Sequence, residues 1–339
     1  MGIQRPPHAP SHTKTLRHCG PSDTLVRAAL AVAGLPPDTL TDICAGAGLV
    51  DPAHGTMRPP DPERSRLNRS GAPVQVCLSR RTGADAPEVR ILLDPFFDHA
   101  PEERHRRSLA LADALVRGLG WRDAVGWCAP LVPQPLVGAL WIGGRLSRGT
   151  APFADGVALY LNAEAMAETG APVWPEMIGA LDCLLPPSAD RAALLRRLTG
   201  LARCVSLALE VAPAPHPPRV KLYLRAPADT ATRLADLLAP GQAEPALAIL
   251  QARAAWPASG LTLGLSFASG SGEPDGLKLD VCLCPDCRRV AGVSPGLDER
   301  LRAQIPGAAP VLDAGRLALL GTGMGGKGQR LNIYVEPAT

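Results

Sequence analysis

The sequence is poor in aromatic residues: 339 residues hold only three tyrosines and four phenylalanines, with five tryptophans. Where each tyrosine falls is therefore informative. A dominant charge is also lacking, since 35 lysines and arginines against 32 acids leave a formal charge of +3, without basic runs. That balance speaks against a general nucleic-acid or membrane-binding surface, so any basic site must be local. No apolar run reaches about 18 residues without a charge or proline, so no membrane span is expected. Nine cysteines show no disulfide-like spacing, and Met1-Gly-Ile-Gln-Arg-Pro-Pro7 has no apolar leader core. Free thiols in a reducing cytoplasm follow as the expectation. Gly2 is followed by Pro6 where a myristoylation signal wants Ser or Thr, so no lipid anchor is expected. Neither an aspartate-rich magnesium motif nor an H-E-x-x-H arrangement occurs, and Cys282, Cys284 and Cys287 lack a matching Cys or His pair. No metal and no cofactor are expected.

What is present begins with a polar, proline-rich stretch to about Lys14, read as a disordered tail, and a helical pattern from Ser22 to Leu35. Residues 1–64 are thus expected to form a tail and helical extension, and 65–339 one domain. Within that domain, short β-rich runs come in pairs, each followed by an alanine- and leucine-rich helical segment. The pairs are Pro73–Ser79 with Glu88–Asp94, Val137–Ile142 with Val157–Leu161, and Val205–Val211 with Arg219–Leu224. Leu261–Phe267 with Leu277–Leu283 and Arg316–Leu320 with Arg330–Glu336 complete the five. Helices are expected over about Pro101–Leu119, Ala228–Leu238 and Glu244–Ala255. The unit recurs roughly every 55 to 70 residues, too long for a solenoid, and hairpins alternating with helices make every strand neighbour antiparallel. Ten such strands can close into a barrel, which removes exposed edges and places helices on the apolar outer face. The fold class expected is α/β, a ten-stranded antiparallel barrel ringed by helices.

Side chains two apart share a strand face, so Arg219, Lys221 and Tyr223 line one face, with Val220, Leu222 and Leu224 on the other. The same period groups Arg330, Asn332 and Tyr334; Lys278, Asp280 and Cys282; Ala158, Tyr160 and Asn162; and Arg90, Leu92 and Asp94. All three tyrosines fall in this equivalent slot. Cations lining a barrel suit a diphosphate, because each one about 4 Å away is worth on the order of 4 kcal/mol at an effective dielectric of 20. Arg90, Arg219, Lys221, Lys278 and Arg330 can clamp it without metal. Tyrosine faces suit a carbocation, at about 0.5 to 2 kcal/mol per ring, and wall it from water.

The strands Arg219-x-Lys221-x-Tyr223, Lys278-x-Asp280 and Arg330-x-Asn332-x-Tyr334-x-x-Pro337 resemble aromatic prenyltransferases of the ABBA barrel type. The resemblance runs from about Leu67 to the C-terminus and is greatest with the dimethylallyltryptophan synthase-like, or indole, branch. It implies dimethylallyl or a longer prenyl diphosphate as donor, ionisation to an allylic cation, attack by an electron-rich ring such as indole, and loss of a proton. Tyr160, Tyr223 and Tyr334 would be the cation shield. Gly71-Ala-Pro73-Val-Gln75 is similar to the branch's Gly-x-Pro-x-Glu, whose glutamate contacts the indole nitrogen. Glutamine can accept a hydrogen bond there but cannot take a proton near neutral pH. A phenol or peptide side chain as acceptor therefore stays open, as does a base elsewhere, for instance Asp280 or Glu210. Trp141 is a candidate for the acceptor pocket, although its alternation is ambiguous.

Other signals are weaker. Asp42-Ile-Cys-Ala-Gly-Ala-Gly48 resembles the turn of S-adenosylmethionine-dependent methyltransferases, yet Pro36–Thr41 before it is no buried strand. Gly321-Thr-Gly-Met-Gly-Gly326 fits G-x-G-x-x-G by letter but lies between two strands, where it reads as a hairpin turn. A barrel that binds an isoprenoid without turnover is a further class.

Overall fold

Val74, Val76 and Leu78 alternate with Gln75, Cys77 and Ser79, and this two-residue period becomes strand β1, Val74–Arg81. In the computed structural model, which describes residues 20–68, 70–121, 140–163, 173–216, 218–226, 261–267, 270–282, 296–325 and 330–338, nine further strands follow. They are β2 (Glu88–Leu93), β3 (Leu140–Leu146), β4 (Val157–Asn162), β5 (Arg203–Val211), β6 (Arg219–Ala226), β7 (Leu261–Phe267), β8 (Pro274–Cys282), β9 (Gly315–Gly325) and β10 (Arg330–Pro337). Every sequence neighbour pairs antiparallel, and β1 also pairs with β10, with Cys77 opposite Tyr334, so the sheet closes into a barrel. Helices α1 (Pro21–Ala33), α2 (Thr41–Gly46), α3 (Pro101–Gly118), α4 (Val173–Leu184), α5 (Ala189–Thr199), α6 (Leu297–Gln304) and α7 (Ala309–Ala314) accompany it. No helix among the described residues is long and apolar enough to cross a membrane.

The outward set of each strand makes the core. Val74, Val76 and Leu78, Val220, Leu222 and Leu224, and Ile333 and Val335 are all buried, in one cluster with Leu25 and Leu30 of α1 and Val116 of α3. Burying such side chains stabilises by about 1.5 to 3 kcal/mol each, so the driving force lies outside the barrel and the inward face is free to be polar. The segment leading into β1 is braced by Asp94, fully buried just beyond β2, which accepts from Ser65 Oγ at 2.9 Å and pairs with Arg104. Asp94 was expected to share the inward face with Arg90, but it is spent on this junction.

Several strand limits differ from expectation, among them the end of β1 at Arg81 rather than Ser79. β8 starts at Pro274, because a register shift at Ser266/Phe267 admits a proline where no ladder bond is needed. β3 continues to Leu146 rather than stopping at Ile142. The stretch expected to be a turn, Gly321–Gly326, is strand as far as Gly325. Glycine there answers a neighbour's bulk, since a Cβ on Gly321 would meet Asp280 Oδ1 at 1.8 Å. Asp42–Gly48, weighed above as a methyltransferase turn, runs instead through helix α2. The expected helices over 228–238 and 244–255 lie outside the described residues.

Candidate active site in the barrel lumen

Because all connections within a strand pair are hairpins, the ends of β1, β3, β5, β7 and β9 gather at one rim with the starts of their partners. The inward residues there are charged. Arg81, Arg90, Arg145, Arg219, Lys221, Lys278 and Arg330 stand among Glu88, Asp155, Glu210, Asp275 and Asp280, so cations outnumber carboxylates. On the β2 to β6 side of this rim opens a cavity of about 460 Å³, lined by Arg90, Arg145, Tyr160, Glu210, His216 and Arg219 among others.

Most of these cations are held by an acid. Arg90 pairs with Glu88 and lies 3.9 Å from Glu210; Lys221 also pairs with Glu210, and Arg145 approaches Glu88 at 3.4 Å. Burial alone would raise the Glu210 carboxyl, but Lys221 and Arg90 overcome it and hold it at about 2. Arg330 is the contrasting case. Burial and then Arg90 push its pKa down, with Arg81 and Arg145 adding repulsion that Glu88 only partly offsets. Arg330 is thus a half-buried cation in a locally positive potential.

Beside these cations lie the tyrosines. Tyr160 and Tyr223 pack with ring centroids 6.1 Å apart, and Lys278 Nζ stands 4.5 Å from the Tyr334 centroid and 5.7 Å from that of Tyr223. Burial raises all three phenol pKa values, so the rings present neutral faces. Room for Tyr223 comes from the strand beside it, because a Cβ on Gly264 of β7 would come 2.9 Å from its ring.

Toward the helical rim, Gln75 is oriented by a chain of obligations. Asn68 Nδ2 donates to Ala72 O at 2.7 Å and Val74 O at 2.8 Å, which turns its Oδ1 to Gln75. Gln75 Nε2 donates to that oxygen at 2.8 Å, so Oε1 is the end left to accept from something else. Trp141 sits opposite Tyr160 in the ladder, and its Nε1 is buried without a hydrogen-bond partner among the described residues.

No protein-family model matches this chain, and no curated protein does. Solved structures do. It is similar to the 5-dimethylallyltryptophan synthase of Streptomyces coelicolor, with 22% identity and a TM-score of 0.69 over 93% of this chain and 96% of that one. Similar too is the 6-dimethylallyltryptophan synthase of Micromonospora olivasterospora in complex with DMASPP and Trp, at 18% identity and TM-score 0.71, covering 94% and 98%. The prenyltransferase PriB, in a ternary complex with L-tryptophan and dimethylallyl thiolodiphosphate, gives 22% and 0.66, covering 93% and 95%. The fold is the ABBA prenyltransferase barrel.

Within this barrel the sequence-derived residues can be located one by one. Arg90, Lys221, Lys278, Arg330, Tyr160, Tyr223, Tyr334 and Gln75 all occupy inward positions. Arg219 is at the rim, its side chain 43% exposed and paired with Asp275 at 2.9 Å. Trp141, whose alternation was ambiguous, is inward. Two lumen arginines were missed, Arg81 and Arg145, because the strands were ended at Ser79 and Ile142. Their signal was available, since each continues its strand's period-two inward set.

Proposed function

We propose that the protein is an aromatic prenyltransferase, moving a dimethylallyl group from its diphosphate to an electron-rich ring, with the indole of tryptophan as the acceptor class. The observation that carries this is the make-up of the lumen: a cation-rich rim and, beside it, three neutral tyrosine faces, two of them 4.5 and 5.7 Å from Lys278 Nζ, inside a closed barrel. The mouth residues Arg90, Arg219, Lys221, Lys278 and Arg330 bind the diphosphate and stabilise the charge that grows on it as the allylic C–O bond breaks. Tyr160, Tyr223 and Tyr334 then face the allylic cation and keep water from it. The acceptor ring lies beside Trp141, with its N–H donated to Gln75 Oε1. Attack forms the carbon–carbon bond, and proton loss restores aromaticity.

The similar structures support this reading through their contents, a thiolodiphosphate analogue and tryptophan in the PriB complex. Lysine and arginine supply the countercharge, so the reaction proceeds without metal. Residues 65–339 carry it, residues 1–64 serve as tail and bracing extension, and the free thiols fit a cytoplasmic enzyme. The test is mass spectrometry of a panel of indoles, phenols and peptides after incubation with dimethylallyl and geranyl diphosphates. Prenylation of indoles is expected; a panel in which only phenols or peptides gain mass would move the acceptor class, and no gain anywhere would overturn the proposal.

A further inference from the structure

The arenium ion formed by ring attack must lose a proton, and Gln75 cannot take it. The lumen carboxylates are not equivalent. Glu88 is engaged by Arg90 and Arg145, Glu210 by Lys221 and Arg90, and both are held below the usual carboxylate range. Asp275 stays at the rim with Arg219. Asp280 of β8 differs in geometry. It is only 3% exposed, its Oδ2 accepts from Lys278 at 2.6 Å, and its Oδ1 is buried without a hydrogen-bond partner among the described residues. That oxygen rests over bare backbone, because β9 places Gly321 opposite Asp280. A buried, unsatisfied carboxylate oxygen is costly, which makes it a candidate for function rather than packing.

We propose that Asp280 Oδ1 is the proton acceptor of the reaction, a proposal that rests on the prenyl-transfer reading above. The donor's C–O bond breaks with its electron pair leaving on the diphosphate, and the ring carbon forms the new C–C bond. The C–H electrons then return to the ring as the proton passes to Asp280, which releases it to solvent or diphosphate after turnover. The ionisable groups acting on Asp280 are Lys278 on its own strand and Lys221 of β6, while Cys77 of β1, Tyr223 of β6 and Tyr334 of β10 lie close enough to feel its charge. Burial raises its pKa and the two lysines reverse only part of that, so the carboxylate is a stronger base than an ordinary aspartate. Lys278 stays close enough to stabilise the ionised form before transfer.

The experiment compares wild type with Asp280→Asn across pH, using dimethylallyl diphosphate and tryptophan, or the panel compound that wild type prenylates, with and without deuterium on the ring. Asparagine keeps an oxygen for Lys278 but is not basic. The expected result is a kcat lower by about 100-fold, a donor KM unchanged or lower, a ring-deuterium isotope effect absent from wild type, and loss of the acid limb of the rate profile. Binding of a thiolodiphosphate analogue shows that the variant is folded. The proposal is overturned if kcat falls by less than about threefold, or if kcat and donor affinity weaken together without an isotope effect, which would make Asp280 a positioning residue for Lys278. Should wild type prenylate nothing, the prenyl-transfer reading itself fails and this proposal with it.

Discussion

Replacing Arg330 by methionine should move stability and donor binding in opposite directions. Arg330 faces Arg81 across the ladder, has no ion pair among the described residues, and has its pKa lowered by burial and by Arg90. A cation whose folded pKa lies below its unfolded value costs stability wherever both states are charged, which includes neutral pH. Methionine keeps the apolar stem and removes that cost, so the urea midpoint of the unliganded protein should rise or hold. Diphosphate binding should weaken, because a hydrogen bond to a charged group is worth about 1.5 to 3 kcal/mol, or roughly 10- to 100-fold in affinity. Calorimetric titration with inorganic diphosphate and urea unfolding measure the two quantities on one sample. Unchanged diphosphate affinity, or a clear fall in the urea midpoint, would refute the view that Arg330 waits for an anion.

Three other outcomes follow from the same lumen. Glu210, held at about 2 in the fold, contributes stability that is fully present above its ordinary pKa and lost as pH falls toward 2; Glu210→Gln should flatten the urea midpoint against pH over that acid range. Tyr223→Leu should slow prenylation by about 2- to 30-fold, one ring's cation–π contribution, and raise the share of dimethylallyl alcohol formed by water capture, read by chromatography of the products. Gly264→Ala should push the Tyr223 ring from its seat, since the added Cβ would approach it to 2.9 Å, and cost about 1 to 3 kcal/mol of stability, measured by denaturant unfolding.

Much of this architecture was legible because a strand has period two and its outward set had to be apolar. Val220, Leu222 and Leu224 announced the core face, and Arg219, Lys221 and Tyr223 the lumen, from six residues of sequence. Less legible was anything fixed by register between strands. Glu210 meets Lys221 and Arg90 only because β5 pairs with β6 and closure brings β2 near, so the acids that moderate the cationic mouth could not be assigned from either strand alone. Gly321 misled for a related reason: glycine by itself signals a turn, whereas on β9 it leaves space for Asp280 of the neighbouring strand. Gln75 lies on the lumen face of β1, and its orientation depends on Asn68, seven residues earlier in a loop with no strand pattern.

The central claim, that this lumen breaks an allylic C–O bond under lysine and arginine control, is tested most directly by quantifying diphosphate released from dimethylallyl diphosphate in EDTA, with and without tryptophan. The account predicts release that is accelerated by the acceptor, matched mole for mole by prenylated product, and indifferent to the chelator. An intact donor in EDTA, with turnover restored only by magnesium, would contradict it.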